Sequence, residues 1–184
     1  MSAVRRLLTV AFAAGCLLVA TGLPAVAATA TATLTGGTLG FVAAPAATGF
    51  SVSLTGADVT STSTQTFDVG DATGSGAGWN ITATSTTFTA GSHTLPATAV
   101  TVQAVPTVAC DSGATCTVAT NGVSYPYTLP AATTAPTATK LFSSVANTGL
   151  GNQTVTVVFR LAVPANAFAG SYSSTSTYTL VSGP

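Results

Sequence analysis

Charge is what this chain has least of. Only 4% of its 184 residues are charged: four Lys or Arg, four Asp, and not one glutamate. So few charges give no basic patch, which makes nucleic acid and anionic membrane surfaces poor partners. There is one histidine, His93, and one tryptophan, Trp79. His93 follows Gly91-Ser92 in an expected turn with no carboxylate near it in sequence, which reads as a solvent-exposed side chain and not a general base. No Gly-x-Ser-x-Gly elbow occurs, and a glycosidase pair would have to be drawn from four scattered aspartates, so no enzyme is expected. Metal ligands are as scarce, with no second Cys or His pair to complete a zinc site. Asp68 and Asp71 flank Val69-Gly70 without the spacing of a calcium loop and read as turn-forming residues. No cofactor is implied.

Residues 1–27 have the parts of a secretory leader: Arg5 and Arg6, an apolar stretch from Leu7 to Leu23, and Ala25-Val26-Ala27 as a small-residue cleavage site. Arg5-Arg6 also admits a twin-arginine route, and Ala13-Ala14-Gly15-Cys16 a lipidation site, but the cleavage site after Ala27 fits the pattern better. The apolar stretch is shorter than the roughly 18 to 20 residues a membrane span requires, and no second one follows. The expected mature chain, residues 28–184, keeps Lys140 and Arg160 against Asp58, Asp68, Asp71 and Asp111, and is long enough for one domain with a real core. Two cysteines remain in it. Cys110 and Cys116, with Gly113 between them, are expected to form a disulfide closing a small loop.

What the mature chain does have is short alternating segments separated by Gly, Pro, Asn and Asp. Phe50-Ser51-Val52-Ser53-Leu54 is one, and Phe67 with Val69 another. The glycines at 74, 76 and 78 lead into a strand with Trp79, Ile81 and Ala83 on one face. Val100, Val102 and Ala104 continue the pattern; Val123, Tyr125, Tyr127 and Leu129 repeat it after Asn121-Gly122. The strongest signal is Val155, Val157, Phe159, Leu161 and Val163, which predicts a central strand with Arg160 on its solvated face. A turn over residues 164–170 leads to a last strand carrying Tyr172, Ser174, Ser176, Tyr178 and Leu180 on one face. Residues 130–138, rich in Thr, Ala and Pro, read as an exposed loop. Turn signals about every ten residues without a helical period predict an all-β chain, an antiparallel β-sandwich of Ig-like or Greek-key type, the leader being the one expected helix.

Gly76-Ala77-Gly78-Trp79-Asn80-Ile81-Thr82-Ala83, then Phe88 and Leu95-Pro96-Ala97, resembles the first half of the WxL domain of Gram-positive surface proteins. Val163-Pro164, Ala169-Gly170-Ser171-Tyr172 and Thr177-Tyr178-Thr179-Leu180 resemble its second half, in the same order. Ile81 stands where the family has leucine and Tyr178 where it has tryptophan, so the chain is WxL-like. The resemblance implies an all-β domain on the bacterial cell surface, attached without a covalent link to cell-wall peptidoglycan. It implies ligand-binding roles for Trp79, Ile81, Tyr178 and Leu180, with aromatic faces against sugar rings. Their alternation with apolar neighbours equally suits core residues. The alternative class is a structural subunit that self-assembles through exposed strand edges into a surface layer or fibre without binding glycan.

Overall fold

The computed structural model describes residues 30–184. The expected leader over residues 1–27, with Arg5, Arg6 and Cys16, lies outside the described residues. Thr35–Pro184 forms one compact unit. Its strands, in chain order, are β1 Leu39–Phe41, β2 Val59–Asp71, β3 Trp79–Thr86, β4 Thr89–Ala90, β5 His93–Thr94, β6 Val100–Val102, β7 Thr107–Cys110, β8 Tyr127–Thr128, β9 Ala131–Ala132, β10 Thr139–Ser144, β11 Gly151–Val163 and β12 Ser176–Ser182. Among the described residues there is no helix, hence none that is long and apolar enough to cross a membrane.

Two sheets carry the core. In the larger, the order is β1-β2-β11-β6-β8, with β7 also on β11. β11 is central, as its uninterrupted apolar alternation predicts: Val155, Val157, Phe159, Leu161 and Val163 are buried, while Val158 opposite them is exposed. It pairs antiparallel with β2 along the full length of both strands, from Gly151 opposite Asp71 to Val163 opposite Val59. The smaller sheet has the order β10-β3-β12, and β9 runs parallel to the end of β3. Every other strand pair is antiparallel, and β4 and β5 form a separate hairpin.

β3 enters from Gly78, whose φ of +77° and contact with Ser144 O and Val145 leave no room for a side chain. The strand is buried on both faces, a departure from the half-buried strand the sequence predicts. Its outer face is covered because Asn80 Nδ2 donates to Gly183 O (2.7 Å) and Thr84 Oγ1 donates to Pro136 O (2.6 Å). The second bond draws part of the 130–138 segment onto the sheet, so that segment is not simply an exposed loop; Thr133, Thr134 and Ala135 remain exposed. On the inner face Trp79 stacks on Phe142 at 5.4 Å, and Phe67 meets Tyr178 edge-on at 4.8 Å. Burial of each such ring contributes about 1.5–3 kcal/mol.

Several expected strands come out differently. Residues 50–54 form none: Phe50 and Val52 are half-buried, but no neighbouring backbone lies in ladder register with them. The 123–129 strand shrinks to Tyr127–Thr128, because Pro126 has no N–H to give a ladder and the Asn121 side chain ties up its surroundings, accepting from Val123 N–H and Ser143 N–H. The last strand begins at Ser176; Tyr172 and Ser174 precede it, and Ser173 forms only an isolated bridge to Thr89. Cys110 and Cys116 are disulfide-bonded, closing the expected loop at the end of β7.

Candidate functional site

The sandwich has one flank that its own ladders do not close. β1 occupies the outer edge of β2 only opposite Val69, Gly70 and Asp71, so the edge over residues 59–67 stays unpaired. β12 pairs with β3 alone and leaves its other edge free. Residues 43–57 run across this flank as a strap. They pair with no strand and are held at their ends, by Val42 N–H to Asp68 O (2.9 Å) and by Ala165 N–H to the Asp58 carboxylate (2.8 Å).

Beneath the strap is a cleft of two lobes that share Thr48, Phe50, Phe88 and Tyr172 in their walls. One lobe, about 590 Å³, is bounded by Val52, Leu95, Leu161, Val163 and Phe168. The other, about 530 Å³, reaches between the sheets to Gln65, Val100, Leu129, Phe159 and Tyr178, with Ser173, Ser174 and Ser176 along one wall. No charged side chain lines either. The volumes are those of small-ligand sites.

Local chemistry fixes these walls. Phe88 meets Phe50 edge-on at 6.1 Å, and its carbonyl accepts from Leu95 N–H. The Tyr172 hydroxyl donates to Phe168 O (3.1 Å). Two hydrogen bonds between Thr89 and Ser173 backbones, and the Ser174 hydroxyl donating to Thr86 O, pin the serine run to the end of β3. Burial pushes the Tyr178 phenol up, partly offset by the Ser176 hydroxyl and added to by Tyr127, so the phenol stays protonated and neutral. Gln65 is the polar residue at the base: 2% exposed, with Nε2 donating to Thr66 O at 2.8 Å and Oε1 without a partner in the protein.

Set against family models, curated proteins and solved structures, the chain matches none.

The four residues to which the WxL resemblance gives ligand roles lie together on the inner face of the smaller sheet, Ile81 opposite Leu180 and Ala83 opposite Tyr178. That face is core. Trp79 and Ile81 are 0% exposed, and Trp79 Nε1 donates to Gly149 O at 2.9 Å, so its ring is occupied by Phe142 and its one donor is used. Neither residue can touch a ligand in this conformation. Leu180 packs against the core as well, and Tyr178 alone of the four reaches the cleft. His93 is exposed and stacks on Phe168 at 3.9 Å, at the margin of the first lobe.

Asp68 and Asp71 point to opposite faces of β2, so their carboxylates do not converge as a pair of ion ligands. The Asp71 carboxylate caps its own turn, accepting from Thr73 N–H (3.0 Å) and Thr73 Oγ1 (2.6 Å). Among the described residues no three His, Cys, Asp or Glu side chains gather as metal ligands. Asn80, which opens an Asn80-Ile81-Thr82 match to the glycosylation sequon, is buried. The cleft residues Phe50, Gln65, Phe88 and Tyr172 were not singled out by the sequence as a site. One signal pointed there: Ser61, Ser63 and Gln65 are polar at the inward positions of β2, where a closed core would carry apolar side chains.

Proposed function

We propose that this chain is a non-catalytic binding module of the bacterial cell surface, exported by its leader and attached without a covalent link to cell-wall peptidoglycan through the cleft under the strap. The observation that carries the reading is the make-up of that cleft: aromatic rings, a run of hydroxyls and no charge. Sugar rings have apolar C–H faces and hydroxyl edges, which such walls match in kind. The lobes offer no carboxylate or imidazole to move a proton, which favours holding a ligand over cleaving it. The WxL resemblance supplies the wall as the partner. The binding surface moves from Trp79 and Ile81 to Phe50, Phe88, Tyr172 and Tyr178.

Sedimentation with insoluble peptidoglycan sacculi tests this. The protein is expected in the pellet, and Phe88→Ala and Tyr172→Ala, checked for folding, are expected to release it to the supernatant. Wild-type protein remaining in the supernatant ends the wall reading. A second reading, self-assembly into a surface layer or fibre, draws support from the unpaired β2 and β12 edges. It requires the sedimentation coefficient of the protein alone to rise with concentration.

A further inference from the structure

We infer that the unpaired edge of β2 at Thr60, Thr62 and Thr64 is a docking ledge for a second copy of this chain, whose residues 30–35 add to it as an extra strand. Such a joint rests on the self-assembly reading and goes further, naming the two surfaces that meet and which copy supplies each.

Backbone parity defines the ledge. Val42 N–H donates to Asp68 O and Ala72 N–H donates to Thr38 O, so the even-numbered residues of β2 turn their N–H and C=O groups away from β11. β1 meets them at Asp68 and Gly70, and Thr66 O accepts from Gln65 Nε2 at 2.8 Å. At Thr60, Thr62 and Thr64 no backbone group among the described residues bonds to them, the strap included, and all three residues are exposed. Nor is this edge blunted. From Val59 to Phe67 it has no charge, proline or break in register, the usual devices that keep a neighbouring strand away.

The donor is Ala30-Thr31-Ala32-Thr33-Leu34-Thr35. It alternates apolar residues with threonine as a strand does, yet it belongs to none, and every residue in it is exposed, Leu34 by 90%. It carries no charge, so it meets the ledge with no ion to desolvate. Placed there, its threonines fall on the outer face with Thr60, Thr62 and Thr64, and Leu34 turns inward, where β2 has only the small, half-buried Ser61 and Ser63. Reach assigns the two surfaces to different copies. Gly37 N–H donates to Ala72 O, so the segment joins the domain past the Asp71 end of β2. From Ala72 the strand runs about 27 Å to Thr64 and about 40 Å to Thr60, whereas six extended residues span about 20 Å and cannot cover their own ledge. One end of each copy gives the strand and the other takes it, a head-to-tail contact that repeats from copy to copy.

The test is sedimentation velocity of the purified protein over a concentration series, with a synthetic peptide of residues 30–35 as the probe. The wild-type sedimentation coefficient is expected to rise with concentration. Thr33→Pro removes an N–H from the donor at an exposed residue ahead of the compact unit, and is expected to move that rise to about tenfold higher concentration, the equivalent of one strand hydrogen bond. Added peptide is expected to cap the ledge, lowering the coefficient and shifting the backbone amide resonances of Thr60, Thr62 and Thr64. Assembly by Thr33→Pro equal to wild type overturns the inference and leaves self-assembly standing. Assembly lost instead on Val181→Lys, which charges the free β12 strand, and kept by Thr33→Pro places the contact on β12 and overturns it as well. A protein that stays monomeric at every concentration removes the self-assembly reading, and the peptide then decides the ledge: shifted threonine amides support it, and amides that stay in place overturn it.

Discussion

Replacing Trp79 by phenylalanine separates a structural role from a binding role, because the structure gives this ring a definite energetic weight and no access to a ligand. The substitution removes the Nε1 donor and leaves the buried Gly149 carbonyl without its partner, at a cost of about 1–3 kcal/mol. The smaller ring also leaves a gap beside Phe142. Since truncating a buried Trp to Ala costs about 3–5 kcal/mol, the part of the ring that Phe lacks accounts for about 1 kcal/mol. A total near 3 kcal/mol corresponds, in a domain of this size, to a fall of about 6–12 °C in melting temperature. Thermal melts followed by circular dichroism measure that fall, and sacculus sedimentation below the variant's transition measures binding. The expected pair of results is a large loss of stability with wall binding retained. A folded variant of wild-type stability that no longer sediments with the wall would refute the reasoning, since it would show Trp79 acting as a ligand contact. Wild-type emission gives an independent check: the single tryptophan should emit in the blue and resist external quenchers until the protein unfolds.

Three further outcomes follow from the electrostatics and the disulfide. Burial first, and then the neighbouring Asp111, hold the Asp68 carboxyl above its ordinary value, so the folded state prefers it neutral. Its favourable contribution is present below about pH 3.8 and lost as pH rises through the folded value, so Asp68→Asn should melt higher than wild type at pH 7 and no higher near pH 3. Tyr125 is pushed up to about 12 by burial, and Tyr127 and Tyr178 are raised for the same reason. Their protons are held more tightly by the folded state; denaturant midpoints should therefore be constant up to about pH 10 and fall from there toward pH 12. Reducing the Cys110–Cys116 bond, whose cysteines lie six positions apart, should lower stability by about 2 kcal/mol without unfolding the domain, as measured by paired denaturant titrations.

The parts of the fold legible in the sequence are those where inward positions are apolar throughout. β11 could be placed at the centre of a sheet from Val155 to Val163 alone, and the Cys110–Cys116 pairing from its close spacing around Gly113 together with the expectation of export. β2 was read only from Phe67 onward, because Ser61, Ser63 and Gln65 occupy its inward positions and break the apolar alternation. The reverse happened at residues 50–54, where Phe50 and Val52 alternate correctly but no strand lies in reach to pair with them. Trp79 attracted a binding role through its rarity and its motif. Its burial depends on β10 and β12 closing on both sides of β3, which local sequence does not encode. The cleft was harder still, since Phe50, Gln65, Phe88 and Tyr172 come from four separate segments and meet only after both sheets have formed.

The long ladders also set the order in which this chain can fold. Asn80 bonds to Gly183 across 103 positions and Thr82 to Thr179 across 97, and β2 finds its main partner only in β11. Each sheet therefore takes an essential strand from the last third of the chain, and loop closure must precede any gain from pairing. β2 emerges from synthesis with only the three-residue β1 to join and β3 with no strand of its own sheet yet made, and the Thr and Ser density of β2 gives it a surface that can remain solvated while it waits. Folding is expected on the millisecond-to-second scale of non-local β-topologies. A chain arrested before Gly151 would have β1 beside β2 and β10 beside β3 but would lack β11 and β12, so partial copies are expected to be cut faster by proteases than complete ones.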